Sequence, residues 1–166
     1  MTKPGYLLFC EKNDDTPLFH QPFFLDAVCG GAENWSAVLA QKNGQVVGVW
    51  PYFLKKKWGA AYVAMPNLCR LMGPFFSKEV RGQEAGFLKE MIGKLPKLAA
   101  FEQDFHYQAQ NWLPFFWEKF RQTTRYSYQI PLAAGLDVAW KNLDADYRNN
   151  KIKKAEQVVK LRAGGM

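Results

Sequence analysis

Residues 35–54, WSAVLAQKNGQVVGVWPYFL, decide the fold. Two runs rich in β-branched and aromatic residues, 35–41 and 45–54, flank Lys42-Asn43-Gly44. An Asn-Gly between such runs is the strongest short-range hairpin signal, because the tight type I′ turn requires positive φ at both central residues. An antiparallel pair is therefore expected here. Residues 60–64 offer a further strand, stopped at Met65-Pro66, and the intervening Lys55-Lys56-Lys57 run reads as a hairpin tip in water.

Working outward, residues 6–10 read as a short apolar strand closed by the polar run 11–15 and Pro17. Pro22 fits the first turn of a helix running to about residue 29, with Gly30-Gly31 ending it. Residues 79–95 have helical spacing, with Phe87, Leu88, Met91 and Ile92 on one side, and stop before Pro96. Residues 98–107 alternate as a strand does, 113–120 form a short aromatic helix or turn, and 123–132 give another strand. The longest helical stretch is basic and spans about 139–159, with Trp140, Leu143 and Tyr147 as its apolar stripe. Together these elements predict a mixed α/β (α+β) domain covering 1–166, built on one twisted, mostly antiparallel sheet flanked by helices.

Composition sets the outer limits. A chain of 166 residues, 48% hydrophobic and 16% aromatic, can build a sizeable core, and this argues against disorder. No uncharged stretch approaches the ~20 residues a helix needs to cross a bilayer. Lys3-Pro4-Gly5 opens no apolar secretory leader, so a cytoplasmic location is expected. Cys10, Cys29 and Cys69 are odd in number and widely spaced, which fits reduced, mostly buried thiols and neither a disulfide framework nor a zinc knuckle. The net charge is +7, of which +4 comes from residue 141 onward: Lys141, Arg148, Lys151, Lys153, Lys154, Lys160 and Arg162 against Asp144, Asp146 and Glu156. Such a helix either holds phosphates, as in weak RNA binding, or presents a solvated face.

Several strings resemble the first half of Fem-type aminoacyltransferases. They are the hairpin at Asn43-Gly44 followed by Met65-Pro66 and Gly73-Pro74, and the block Asn111-Trp112-Leu113-Pro114-Phe115-Phe116-Trp117 leading into Thr124-Arg125-Tyr126-Ser127-Tyr128. The closing helix at 148–154 belongs with them. The resemblance covers most of the chain and implies a GNAT-like fold that is used twice in tandem. Its best known members take peptidoglycan precursors as acceptors and aminoacyl-tRNA as donor. The two halves together take about twice the 166 residues here. The chain is accordingly expected to be a non-catalytic acceptor-binding or scaffold module, with a second GNAT-like half or a second copy as partner. Acyl-CoA or aminoacyl-tRNA would enter as donor only in the assembled transferase, and no cofactor is expected on this chain. An N-acyltransferase active as a dimer and a basic RNA-binding module are the rival readings. Asp26 departs from the family, whose first helix can carry a basic residue toward the acceptor's phosphates.

The run Arg81-Gly82-Gln83-Glu84-Ala85-Gly86 comes close to the R-G-x-G-x-G loop by which GNAT acetyltransferases hold pyrophosphate on backbone N–H groups. Glu84 replaces the middle glycine with a side chain and a negative charge, so a degenerate loop without bound cofactor is expected. Glu102, Asp104 and His106 would share a face if 98–107 were a strand, a spacing open to a metal or to three polar side chains on a solvent face; no metal is expected. His20, His106, Asn111 and Trp112 are candidate cleft residues, with helix capping for His20 and core packing for the aromatic block as the alternatives. Arg125, Arg148, Lys151 and Lys154 complete the candidate substrate-binding residues, the last three recurring every third residue along one helix flank that faces either an interdomain cleft or water. No pair stands out as nucleophile and base, so no catalytic residue is assigned.

Overall fold

The computed structural model describes residues 3–126 and 130–159. The chain divides into two compact units, 1–122 and 123–166. The first contains helices α1 (Lys3–Lys12), α2 (Pro22–Cys29), α3 (Glu84–Gly93) and α4 (Leu113–Trp117). Its strands are β1 (Trp35–Lys42), β2 (Gln45–Lys57), β3 (Ala60–Ala64), β4 (Phe75–Phe76) and β5 (Ala100–Phe101). They form a five-stranded, mostly antiparallel open sheet in the order β1-β2-β3-β5, with β4 also paired to β2.

The central hairpin forms as its turn chemistry requires. β1 and β2 pair from Trp35↔Phe53 to Lys42↔Gln45, and Asn43 and Gly44 adopt φ of 52° and 79°. The second hairpin turns at Trp58-Gly59 and not on the lysines, which lie within β2 opposite Tyr62, Ala61 and Ala60. α3 then crosses over, and β5 joins β3 in parallel through Tyr62↔Ala100 and Val63↔Phe101.

Both faces of the sheet are covered. Tyr6, Phe9, Leu25 and Cys29 from α1 and α2 pack on Trp35, Ala37 and Val49. Val38, Val47, Trp50 and Val63 meet Leu88 and Met91 of α3 and Phe115 of α4 on the other side. Two-sided burial explains why β2 reads as an almost continuous apolar run. Gly48 is needed within it: a Cβ there would meet the Phe76 ring at 2.4 Å.

Further expectations are corrected. Residues 6–10 lie in α1, because Tyr6, Phe9 and Cys10 follow i, i+3, i+4 spacing and are buried, while Leu7 and Leu8 are 44% and 49% exposed. The helix expected over 79–95 begins only at Glu84, since Gly82 at φ 85° separates it from a 3₁₀ turn at Lys78–Val80. The strand expected over 98–107 is regular only at Ala100–Phe101. Beyond it the ladder changes partner: Glu102 N–H bonds Val63 O, whereas Met72 N–H bonds Asp104 O and His106 N–H bonds Met72 O. β3 has by then left the sheet, and Met65 Sδ accepts the Asp104 N–H. No strand forms at 123–126 or 130–132, the rest of that expected strand lying outside the described residues.

The second unit holds α5 (Leu136–Asn142), a π-helical turn (Tyr147–Ile152) and α6 (Lys153–Val158). The continuous helix expected at 139–159 is therefore broken: Leu143 turns extended (φ −67°, ψ 145°) before the chain becomes helical again. Within this unit Ile130, Leu132, Leu136, Trp140 and Leu143 line an open apolar cleft of about 610 Å³. No helix among the described residues is long and apolar enough to cross a membrane. Cys10, Cys29 and Cys69 are free and buried, and burial pushes each thiol up to about 11.

Candidate functional site

The first unit contains a cavity of about 390 Å³ at the start of α3. Its floor is apolar, formed by Phe75 and Phe76 of β4, Leu88 of α3 and Phe115 of α4. Its rim carries Arg81, Glu84, Gln108, Gln110 and Asn111. The bend at Gly82 with the first residue of α3 supplies Arg81 and Glu84, and the irregular segment between His106 and α4 supplies Gln108, Gln110 and Asn111.

The rim is largely self-satisfied. Glu84 Oε1 accepts the Gly82 N–H at 2.7 Å, so the chain's own carboxylate occupies a backbone donor beside the start of α3. Arg81 bonds Asp15, which Lys78 also approaches at 3.9 Å, and its guanidinium lies 5.6 Å from the Phe75 ring centroid. The cation nearest the helix start thus already faces an anion. An apolar floor with carboxamides and a carboxylate at the rim suits an amide-bearing or cationic group better than a phosphate.

His20 and His106 are brought together, their ring centroids 6.4 Å apart. His20 is fully buried, and its Nε2 lies 2.9 Å from Gly73 O, so Nε2 carries the proton and donates. Its Nδ1 is buried without a partner among the described residues. Burial lowers its pKa to about 4, against the bond to Gly73 which raises it. His106 accepts the Gln108 N–H on Nδ1 at 3.4 Å, lies 4.1 Å from the Tyr107 ring, and is likewise pushed down by burial. Both imidazoles are neutral near pH 7. His20 fastens the turn at 18–20 to the Gly73 loop, while Tyr6 Oη donates to its carbonyl at 2.6 Å.

The remaining candidates separate. Asn111 lines the cavity, but Trp112 stacks on Phe115 at 5.2 Å and packs with the core. Arg125, Arg148, Lys151 and Lys154 belong to the second unit. There Lys151 pairs with Asp146 at 3.5 Å and covers the Tyr147 ring, and Arg148 Nε is buried without a partner among the described residues. Arg148 and Lys151 lie in the π-helical turn and Lys154 in α6. Glu102, Asp104 and His106 do not share a regular strand, and among the described residues no group of three or more His, Cys, Asp or Glu is placed to hold a metal.

Two residues acquire roles that local sequence did not signal. Gln103 accepts the Trp50 Nε1–H at 2.7 Å and donates to Pro51 O at 2.9 Å, clamping the chain after β5 to β2. Asp26 accepts the Trp35 Nε1–H at 2.6 Å, which gives its carboxylate a structural task on α2. No protein-family model, curated protein or solved structure matches this chain.

Proposed function

We propose that this chain is a GNAT-like module related to acyl- and aminoacyltransferases, which binds an acceptor or serves as scaffold and carries out no transfer alone. The observation that carries the reading is the bond from Gly82 N–H to Glu84. A helix start that would bind pyrophosphate in a working acyl-CoA enzyme is here closed by the chain's own carboxylate. With an apolar floor and with carboxamides and a carboxylate at its rim, the cavity is suited to holding an acceptor's amide or amine.

Calorimetric titration with acetyl-CoA is expected to give little heat. Two like charges a few Å apart repel by a few kcal/mol at an effective dielectric of ~20, about a hundredfold in affinity. Glu84→Gly removes the repulsion and frees the Gly82 N–H, and should bind measurably better. Micromolar binding by the unaltered chain would overturn the reading in favour of a complete acyltransferase.

A second reading, an N-acyltransferase assembled with a second half or a second copy, is favoured by the exposed apolar side chains of the second unit, Leu132, Leu136 and Trp140 among them. Sedimentation should then show concentration-dependent self-association. A strict monomer at high concentration removes the homodimeric form of this reading.

A further inference from the structure

The two hairpins of the sheet turn through the same backbone geometry but with different chemistry. Asn43 and Gly44 have φ of 52° and 79°; Trp58 and Gly59 have 51° and 78°. The left-handed region suits asparagine, whose short polar side chain bonds locally, and disfavours a bulky aromatic. Burial would ordinarily account for a tryptophan held in that conformation. Trp58, however, is 94% exposed.

The surroundings of Trp58 are cationic. β1 accompanies β2 only as far as Trp35↔Phe53, so the β2–β3 hairpin projects beyond β1. This arm carries Lys55, Lys56 and Lys57, and residues 52–62 include no acid. Lys57 Nζ lies 4.6 Å from the Trp58 ring centroid and Lys55 Nζ 4.9 Å from that of Phe53. Lys97 precedes by two residues Ala99, whose N–H bonds Ala61 O at the same end of the sheet.

We propose that this arm docks on a membrane surface containing anionic lipid, with Trp58 entering the headgroup layer and Lys55, Lys56 and Lys57 meeting the lipid phosphates. Tryptophan's ring, apolar in body and with an N–H at its edge, favours the bilayer interface. Lysines within a Debye length of an anionic leaflet are drawn to it. The shape favours a membrane over nucleic acid. Single strands are held along a basic groove on which successive bases stack, whereas one ring on a projecting tip fits a deformable layer that it can enter. The proposal is independent of the transferase reading.

Co-sedimentation of the full chain with sucrose-loaded vesicles tests it. Vesicles of phosphatidylcholine with roughly one-third phosphatidylserine should carry the protein down, and pure phosphatidylcholine should retain about tenfold less. Trp58→Asn, which installs the residue used by the other turn, should keep or raise Tm while weakening vesicle binding about tenfold. Trp58→Tyr should retain most of the binding, and a Lys55→Gln, Lys56→Gln, Lys57→Gln triple variant should lose it. Absence of vesicle binding, binding indifferent to Trp58→Asn, or displacement of vesicles by a single-stranded RNA oligonucleotide held on the same arm would each overturn the proposal.

Discussion

Trp50→Ala is expected to destabilise the protein by about 3–5 kcal/mol, a large part of the stability of an ordinary domain. Trp50 is fully buried, and its indole meets Phe101, Phe105 and Phe115 edge-on at centroid distances of 5.4, 5.8 and 5.6 Å. The substitution would open a cavity at the point where β2, the chain after β5 and α4 converge, and leave Gln103 Oε1 without its donor. Urea unfolding should show the loss as a lower midpoint at nearly unchanged slope. Trp50→Phe keeps most of the packing and loses the hydrogen bond, so its cost should be about 1–3 kcal/mol. An alanine variant as stable as the parent would contradict this account of the core.

Acid should produce a comparable loss through His20. Its folded pKa of about 4 lies below the ordinary value of 6.5, so between these limits the unfolded chain binds the proton and the folded chain resists it. Stability is thus fully present above about pH 6.5, falls as the pH drops, and stops falling on this account below about pH 4, for a total of roughly 3 kcal/mol. His106, also shifted downward, acts in the same direction. The upper part of the window, from pH 6.5 to about 5, lies above the ordinary carboxylate range, so a loss there reports the imidazoles. Thermal unfolding of the parent and of His20→Gln between pH 7.5 and 4.5 should give a steep slope for the first and a flatter one for the second. Equal slopes would remove His20 as the cause.

What could be read from sequence was largely what short-range chemistry dictates. Asn43-Gly44 fixed the first hairpin, Pro22 and Gly30 bracketed α2, and the mixed α/β class with a mostly antiparallel sheet followed. Tyr6 to Cys10 was ambiguous because a five-residue apolar run suits a strand or a buried helix turn equally; only packing on β1 and β2 reveals which side faces inward. The shortness of β5 was hidden because it depends on β3 leaving the sheet near Met65, a tertiary event. In the candidate site, the conflict between Glu84 and an anion could be read from residue types. The bond that realises it, the His20–His106 contact across distant segments and the Gln103 clamp could not, since each is made by folding.

The three buried thiols have a practical consequence. With pKa values near 11, only about one in ten thousand of each is thiolate at pH 7, and all three are buried, Cys10 retaining 9% exposure, Cys29 6% and Cys69 5%. Maleimide or iodoacetamide should therefore leave the native protein almost untouched, and a single cysteine introduced at Lys57 would be labelled against a silent background. A dye or spin label at that position could follow the projecting arm without first removing Cys10, Cys29 or Cys69 from the core they help to fill.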